Sequence, residues 1–208
     1  MVGSSSEDEV RKIVVSEFLT LDGVMQAPGD PNEDRSGGFE HGGWQLAYFD
    51  DIFSSTMMDA FAATGGMLLG RRTYEIFAAH WPKQPADDPL AATMNGLDKY
   101  VVSTTLTEPL AWENSTLIKA DVPGEVAKLR NGSGKEIQVI GSGGLVQTLI
   151  EHNLVDTYRL MIHPLVLGTG KRLFRDGTAL TKLRLVDSKP TSTGVLILTY
   201  EPEKSAPG

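Results

Sequence analysis

The chain has 208 residues, 40% hydrophobic and 22% charged, with a formal net charge of −8. That length favours one domain able to bury roughly 70% of its extended surface, and the composition excludes wholesale disorder. Cysteine is absent, which removes disulfides, thiolate zinc sites and a cysteine nucleophile, and the acidic balance excludes a general nucleic-acid binder.

The opening MVGSSSEDEV lacks the basic start and apolar stretch of a secretory signal, so residues 1–10 read as a disordered polar tail. No apolar run approaches the ~20 residues needed to cross a bilayer. A soluble cytoplasmic protein is expected, with one domain over 11–202 and a loose tail over 203–208. The β-branched run Ile13–Leu19 predicts a strand buried on both faces. Met25–Gly43 is rich in glycine and proline and lacks periodicity, which reads as a functional loop or lid. From Trp44 to about Ala63 the apolar residues Phe49, Ile52, Phe53, Met57, Ala60 and Phe61 recur at helical spacing.

Met67–Leu69 predicts a short buried strand, and a helix opens directly after Gly70 and ends before Pro82. A weaker helix follows near Leu90–Leu97, then strands at Lys99–Ser103 and Thr116–Ile118. Val126–Arg130 lies in a helix entered through Pro123. Ile137–Ile140 is the next strand, broken by Gly141–Gly144, and Leu145–His152 is a helix stopped at Asn153. The last third is strand only: Thr157–Leu167, interrupted at Pro164, then Leu183–Asp187 and Val195–Tyr200 as a closing pair. Strand and helix alternate and then give way to strand alone. The pattern predicts an α/β fold: a mostly parallel central sheet, helices on both faces, and an antiparallel C-terminal edge.

Three of these strand ends carry glycines, hydroxyls or arginines, and ligands of open α/β sheets bind beyond such ends. At Gly70-Arg71-Arg72-Thr73 a helix start offers free N–H groups beside two arginines, which suits a phosphate or merely a solvated helix start. Gly141-Ser142-Gly143-Gly144 suits a pyrophosphate or a tight turn; it is not the GxGxxG dinucleotide fingerprint. Ser103-Thr104-Thr105 offers hydroxyls to a ligand or to a turn. Among the carboxylates, Asp22 in the Asp22-Gly23 turn and Asp51 beside the apolar stripe are the candidate proton donors, with turn and solvated-face roles as the alternatives. The four histidines have no ligand spacing, so no metal is expected, and His163-Pro164 reads as structural. G-x-S-x-G and GxxxxGK are absent.

Taken together, these segments resemble the dihydrofolate reductase-like superfamily, specifically the C-terminal reductase domain of bacterial riboflavin-biosynthesis deaminase-reductases. The resemblance runs from about Arg11 to Tyr200. Its most specific piece is Pro164-Leu165-Val166-Leu167-Gly168-Thr169-Gly170-Lys171-Arg172-Leu173-Phe174, similar to the pattern P-x-x-x-G-x-G-x-x-L-F. Leu69–Glu75, Val102-Ser103 and Ile140–Gly144 support it. The resemblance implies NADPH. Gly70, Arg71, Arg72 and Thr73 would lie along its diphosphate and 2′-phosphate, Ser103 and Thr104 near the adenosine, and Gly141, Ser142, Gly143 and Gly144 on the diphosphate. Asp22-Gly23 would border nicotinamide and substrate, and Gly168–Gly170 the other side of the cleft.

The deaminase domain is missing, because its zinc signature needs cysteine. The segment Gly37–Trp44 departs from the riboflavin pattern and would lie over the substrate half, offering Phe39, His41 and Trp44 for stacking on a flat ring. Lys171, Arg172 or Arg175 would meet a substrate phosphate. The reading is an NADPH-dependent reductase of a small heterocyclic or sugar-derived substrate, close to a 5-amino-6-(5-phosphoribosylamino)uracil reductase and, by resemblance, a homodimer. The alternative is a nucleotide- or antifolate-binding protein without turnover.

Overall fold

In the computed structural model, residues 10–203 are described. The run Ile13–Thr20 forms β1, buried along nearly its whole length. Irregular chain follows, with single 3-10 turns at Ser36–Gly38 and Leu46–Tyr48. The remaining elements are α1 (Asp51–Ala63), β2 (Thr64–Gly70), α2 (Arg71–His80), a 3-10 turn at Trp81–Lys83, α3 (Pro89–Gly96), β3 (Asp98–Val102), β4 (Ser115–Ile118) and α4 (Val122–Arg130), then β5 (Glu136–Ile140), α5 (Gly143–Glu151), β6 (Thr157–His163), β7 (Leu183–Pro190) and β8 (Leu196–Pro202). The expected tails lie outside the described residues, save Val10 and Glu203. Among the described residues no helix is long and apolar enough to cross a membrane.

All eight strands join one sheet in the order β4-β3-β2-β5-β1-β6-β8-β7. The first six run parallel, while β8 is antiparallel to β6 and β7 to β8. The expected sheet is therefore present, antiparallel edge included. Side chains alternate along each strand and so reach both faces. Ile13, Val15 and Leu19 of β1 pack with Val126 of α4 and Leu145, Val146 and Leu149 of α5. On the other face, Met67 and Leu69 of β2 pack with Phe61 of α1, Tyr74 of α2 and Met94 of α3.

One boundary differs from the sequence expectation. The helix anticipated from Trp44 begins only at Asp51, because Gly43 has φ +76°, Phe49 is extended, and the Asp50 carboxylate accepts the Phe53 N–H at 2.7 Å. Phe49 thus leaves the helical stripe, and Trp44 belongs to the preceding loop. At the far corner β3, the strand next to the β4 edge, buries Lys99 completely. Its ammonium donates to the carbonyls of Asn95 (2.6 Å) and Glu113 (3.0 Å) and stands 4.3 Å from the centre of the Trp112 ring.

Candidate active site

The split that makes a crevice lies beside β1. Its partner β5 accompanies it only to Ser16, opposite Ile140, whereas β6 accompanies it to Thr20, opposite His163. Beyond Ile140, the chain leaves β1 and β5 on opposite faces: α1 leads towards β2 and α5 towards β6. Parallel sheets bind ligands at such a divergence.

The helix starts differ in a way that marks this crevice. Three helices begin on an aspartate whose carboxylate accepts amides of the first turn: Asp50 for α1, Asp88 for α3 and Asp121 for α4. The other two, α2 and α5, begin at Gly70 and Ser142 with no side-chain cap and no acidic residue in the first turn. Their leading N–H groups and the positive ends of their dipoles are therefore left for a ligand. The two starts are stitched together. Thr73 Oγ1 accepts the Ser142 N–H at 3.0 Å, and Ser142 Oγ accepts the Gly70 N–H at 2.9 Å while donating to Ile140 O at 3.0 Å.

Gly141 is required at this stitch. Its φ is +59°, and a Cβ there would sit 2.9 Å from Thr73 Oγ1. Over Gly144 the space is open. The structure thus brings Gly70, Thr73, Gly141, Ser142, Gly143 and Gly144 into one cradle, as a diphosphate requires. Arg175, only a secondary candidate in the sequence, places a guanidinium nitrogen 3.4 Å from where a Gly143 Cβ would be. Among the described residues it forms no ion pair.

Arg71 and Arg72 flank the cradle. Arg71 is aimed by Glu75 (2.8 Å) and by Thr105 Oγ1 (2.7 Å), and Arg72 pairs with Asp34 at 3.3 Å. Ser103 follows the turn alternative: its hydroxyl accepts the N–H groups of Thr105 (3.2 Å) and Leu106 (3.0 Å). Thr104 next to it is exposed.

On the substrate side several expectations need correction. Asp22 accepts from Thr20 Oγ1 (2.6 Å) and the N–H groups of Leu167 (3.2 Å) and Gly168 (2.9 Å), and it meets Arg172 at 3.3 Å. Burial alone would raise its carboxyl, but these hydrogen bonds win and pull it down to about 2. It is an ionised anchor joining the turn after β1 to the glycine turn after β6, poorly suited to give a proton. Asp51 is exposed on the first turn of α1, and its neighbour Asp50 is occupied by Phe53 and by Ser192 at 2.6 Å.

Phe39 and Trp44 are not free for stacking. They are 5% and 8% exposed and form a small core with Val24 and Ala27, and the Trp44 Nε1–H donates to Gln26 O at 2.8 Å. The expected lid is therefore a folded loop. Lys171 is paired with Asp34 at 2.6 Å and Arg172 with Asp22, so both clamp that loop. The glycine turn closes the same core, since a Cβ on Gly170 (φ +115°) would come within 2.8 Å of both Val24 and Phe39.

His163 is structural, as its setting implies. Fully buried, it faces Leu19 O (3.2 Å) and Met161 O (3.0 Å) through Nδ1, which must therefore carry the proton. Burial lowers its pKa against those two bonds. Phe18, Trp44, Tyr48 and Phe53 stand edge-on around it. Sequence reasoning missed Glu17, a carboxylic acid 3% exposed on the α5 face of β1. The available signal was an acid at an inward position of the alternation Val15, Glu17, Leu19.

The fold is that of a dihydrofolate reductase-like α/β protein, with its candidate ligand site at the β1–β5 split. Residues 11–197 match the RibD C-terminal domain family, and the chain belongs to that family. Among its relatives, YyaP of Bacillus subtilis (strain 168) is 31% identical over 193 residues, covering 91% of this chain and 94% of YyaP. A provisionally named riboflavin biosynthesis protein of Shewanella sp. PV-4 shares the fold with TM-score 0.67 at 20% identity, over 93% of this chain and 99% of that one. The dihydrofolate reductase of Enterococcus faecalis, solved with NADP(H), superposes with TM-score 0.57 at 13% identity, over 93% and 97% of the two chains.

Proposed function

We propose that the protein is an NADPH-dependent oxidoreductase that reduces a C=N or C=O bond of a small heterocyclic or sugar-derived substrate. The nearest chemistry is that of 5-amino-6-(5-phosphoribosylamino)uracil reductases. The carrying observation is the pair of uncapped helix starts joined through Thr73 and Ser142 at the split of the sheet. No other α-helix start among the described residues leaves its first amides without a carboxylate cap, and membership of the RibD C-terminal domain family supports the same cofactor class.

A nicotinamide cofactor supplies the hydride when bound. Gly70, Thr73 and Gly141–Gly144 would hold its diphosphate, with Arg175 adding charge. Arg71 and Arg72 would take the 2′-phosphate, and Ser103 and Thr104 would border the adenosine. Phe18 and Tyr48, half-buried on the α1 side, would border a flat substrate ring. With Asp22 ionised, the proton comes from an ordered water. A cytoplasmic homodimer joined through the last strands completes this reading.

Calorimetric titration with NADPH and NADH in parallel tests it. Wild-type protein should bind NADPH at micromolar concentration and NADH much more weakly, and the Arg71→Ala/Arg72→Ala variant should lose that preference. Equal losses for both cofactors would remove the 2′-phosphate assignment. A second reading, binding of a nucleotide or antifolate without turnover, is favoured by the anchoring of Asp22. Oxidation of NADPH in the presence of pyrimidine, pterin or quinone substrates separates the two.

A further inference from the structure

Glu17 lies one residue past the last β1–β5 pair, where the sheet opens. Its side chain follows Ile13, Val15 and Leu19 onto the α5 face, which is the cradle side, whereas Phe18 points to the aromatic side. It is 3% exposed, and its Oε1 has no hydrogen-bond partner. The main chain of Gly141, the first residue of the cradle turn, favours the charged form of the carboxyl. The rest of this face is apolar: Val15, Leu19, Met25 and Leu145 belong to one cluster. Burial outweighs the Gly141 main chain and pushes the carboxyl well above its usual range. The protonated acid is the form that fits there, since an unpaired buried charge costs far more than a neutral group.

A neutral carboxylic acid is one O–H donor and one carbonyl acceptor side by side. A primary carboxamide is the complement, an acceptor beside a donor. A buried polar atom without a partner calls for one, and the position of this one, at the end of the diphosphate cradle nearest the split, selects the ligand.

We infer that Glu17 recognises the carboxamide of the nicotinamide ring, giving one hydrogen bond and receiving one. This rests on the nicotinamide reading above. Met25 is the neighbour that adapts: its sulfur lies 2.8 Å from where a Gly143 Cβ would be, over the start of α5, and its unbranched side chain can move aside. An aspartate or glutamate buried merely as core would make no such distinction among ligands.

The test compares binding of NADP+ with that of its 3-acetylpyridine analogue, which keeps the carbonyl but lacks the NH2 donor. Wild-type protein should prefer NADP+ by about tenfold, the worth of one net hydrogen bond. Glu17→Gln, which presents the same donor and acceptor, should keep that preference. Glu17→Leu should weaken the analogue by about tenfold, through loss of the bond to its carbonyl, and NADP+ by about a hundredfold, through loss of both bonds, so that the preference disappears. A wild-type protein that binds both ligands equally overturns the inference without any variant, as does a folded Glu17→Leu protein that still discriminates. If wild-type protein binds neither ligand, the nicotinamide reading itself has failed, and this inference falls with it.

Discussion

A methyl group on Gly141 tests whether the two helix starts act as one unit. Alanine there must adopt φ +59°, which costs about 1 kcal/mol. Its Cβ would also stand 2.9 Å from Thr73 Oγ1 and 3.2 Å from Thr73 Cγ2, so Thr73 must turn away and release the Ser142 N–H. Losing that bond costs about 1 kcal/mol more, giving about 2–3 kcal/mol for Gly141→Ala. Thr73→Ala alone loses the bond and should cost about 1 kcal/mol. In the double variant the clash is gone, because only Thr73 Cβ remains, at 3.6 Å, and the bond is lost once instead of twice. The double variant should therefore cost about 1 kcal/mol less than the sum of the single ones. Urea denaturation with unchanged slopes measures all four states. Additivity within ~0.3 kcal/mol would refute the stitch, as would a Gly141→Ala protein of undiminished stability. NADPH titration of the same proteins should show weaker binding in both single variants, although neither removes a charge.

Three further outcomes follow from the packing. Trp44→Ala should cost about 3–5 kcal/mol in denaturant unfolding, since the ring fills the loop core; a lid residue would instead leave stability intact and weaken only ligand binding. Lys99→Met should cost about 1–3 kcal/mol by orphaning the carbonyls of Asn95 and Glu113. Burial draws Lys99 down to about 8, so between there and its usual 10.5 the unfolded chain holds a proton that the folded chain has released; stability of wild type relative to Lys99→Met should rise with pH across that window. Asp34→Asn should speed limited proteolysis within residues 25–45, because it loosens both Lys171 and Arg72. Burial would raise the Asp34 carboxyl, but Lys171 and Ser36 outweigh it and lower it, so its contribution is complete above the usual carboxylate range and fades as pH falls through the lowered value.

Strands were legible wherever the chemistry was local. Ile13–Leu19, Met67–Leu69 and Ile137–Ile140 are β-branched or apolar runs bounded by glycine or polar chain, and each became a central parallel strand. The start of α1 was not legible, because Phe49 repeats at helical spacing by coincidence, and Asp50, a cap residue, decides the boundary. The glycines of the cradle could be found from composition, but not that Thr73 and Ser142, 69 residues apart, would bind each other. Partners distant in sequence also explain the errors on the substrate side. Lys171 and Arg172 look like a basic patch beside a glycine turn, yet Asp34 and Asp22 lie 137 and 150 residues away in sequence and neutralise them. The aromatic content of the loop looked like stacking surface because nothing local reveals that Val24 and Gly170 would close over Phe39.

The same pairing explains where a ligand belongs. With 27 acidic and 19 basic residues, the chain has carboxylates to spare for its cations, and Lys171 and Arg172 are so satisfied. What distinguishes the β1–β5 split is how much is left over there: the first amides of two helices, the guanidinium of Arg175 and one oxygen of Glu17. Each omission has a cost, since capping either helix with an aspartate would stabilise it by about 1 kcal/mol, as Asp50, Asp88 and Asp121 do elsewhere. A carboxylate at position 70 or 142 would also repel a phosphate from the groups proposed to hold it. The missing caps and the missing acids are thus one feature, and under the proposed reading they argue for the location of anion binding more firmly than the glycines, which only permit the turn.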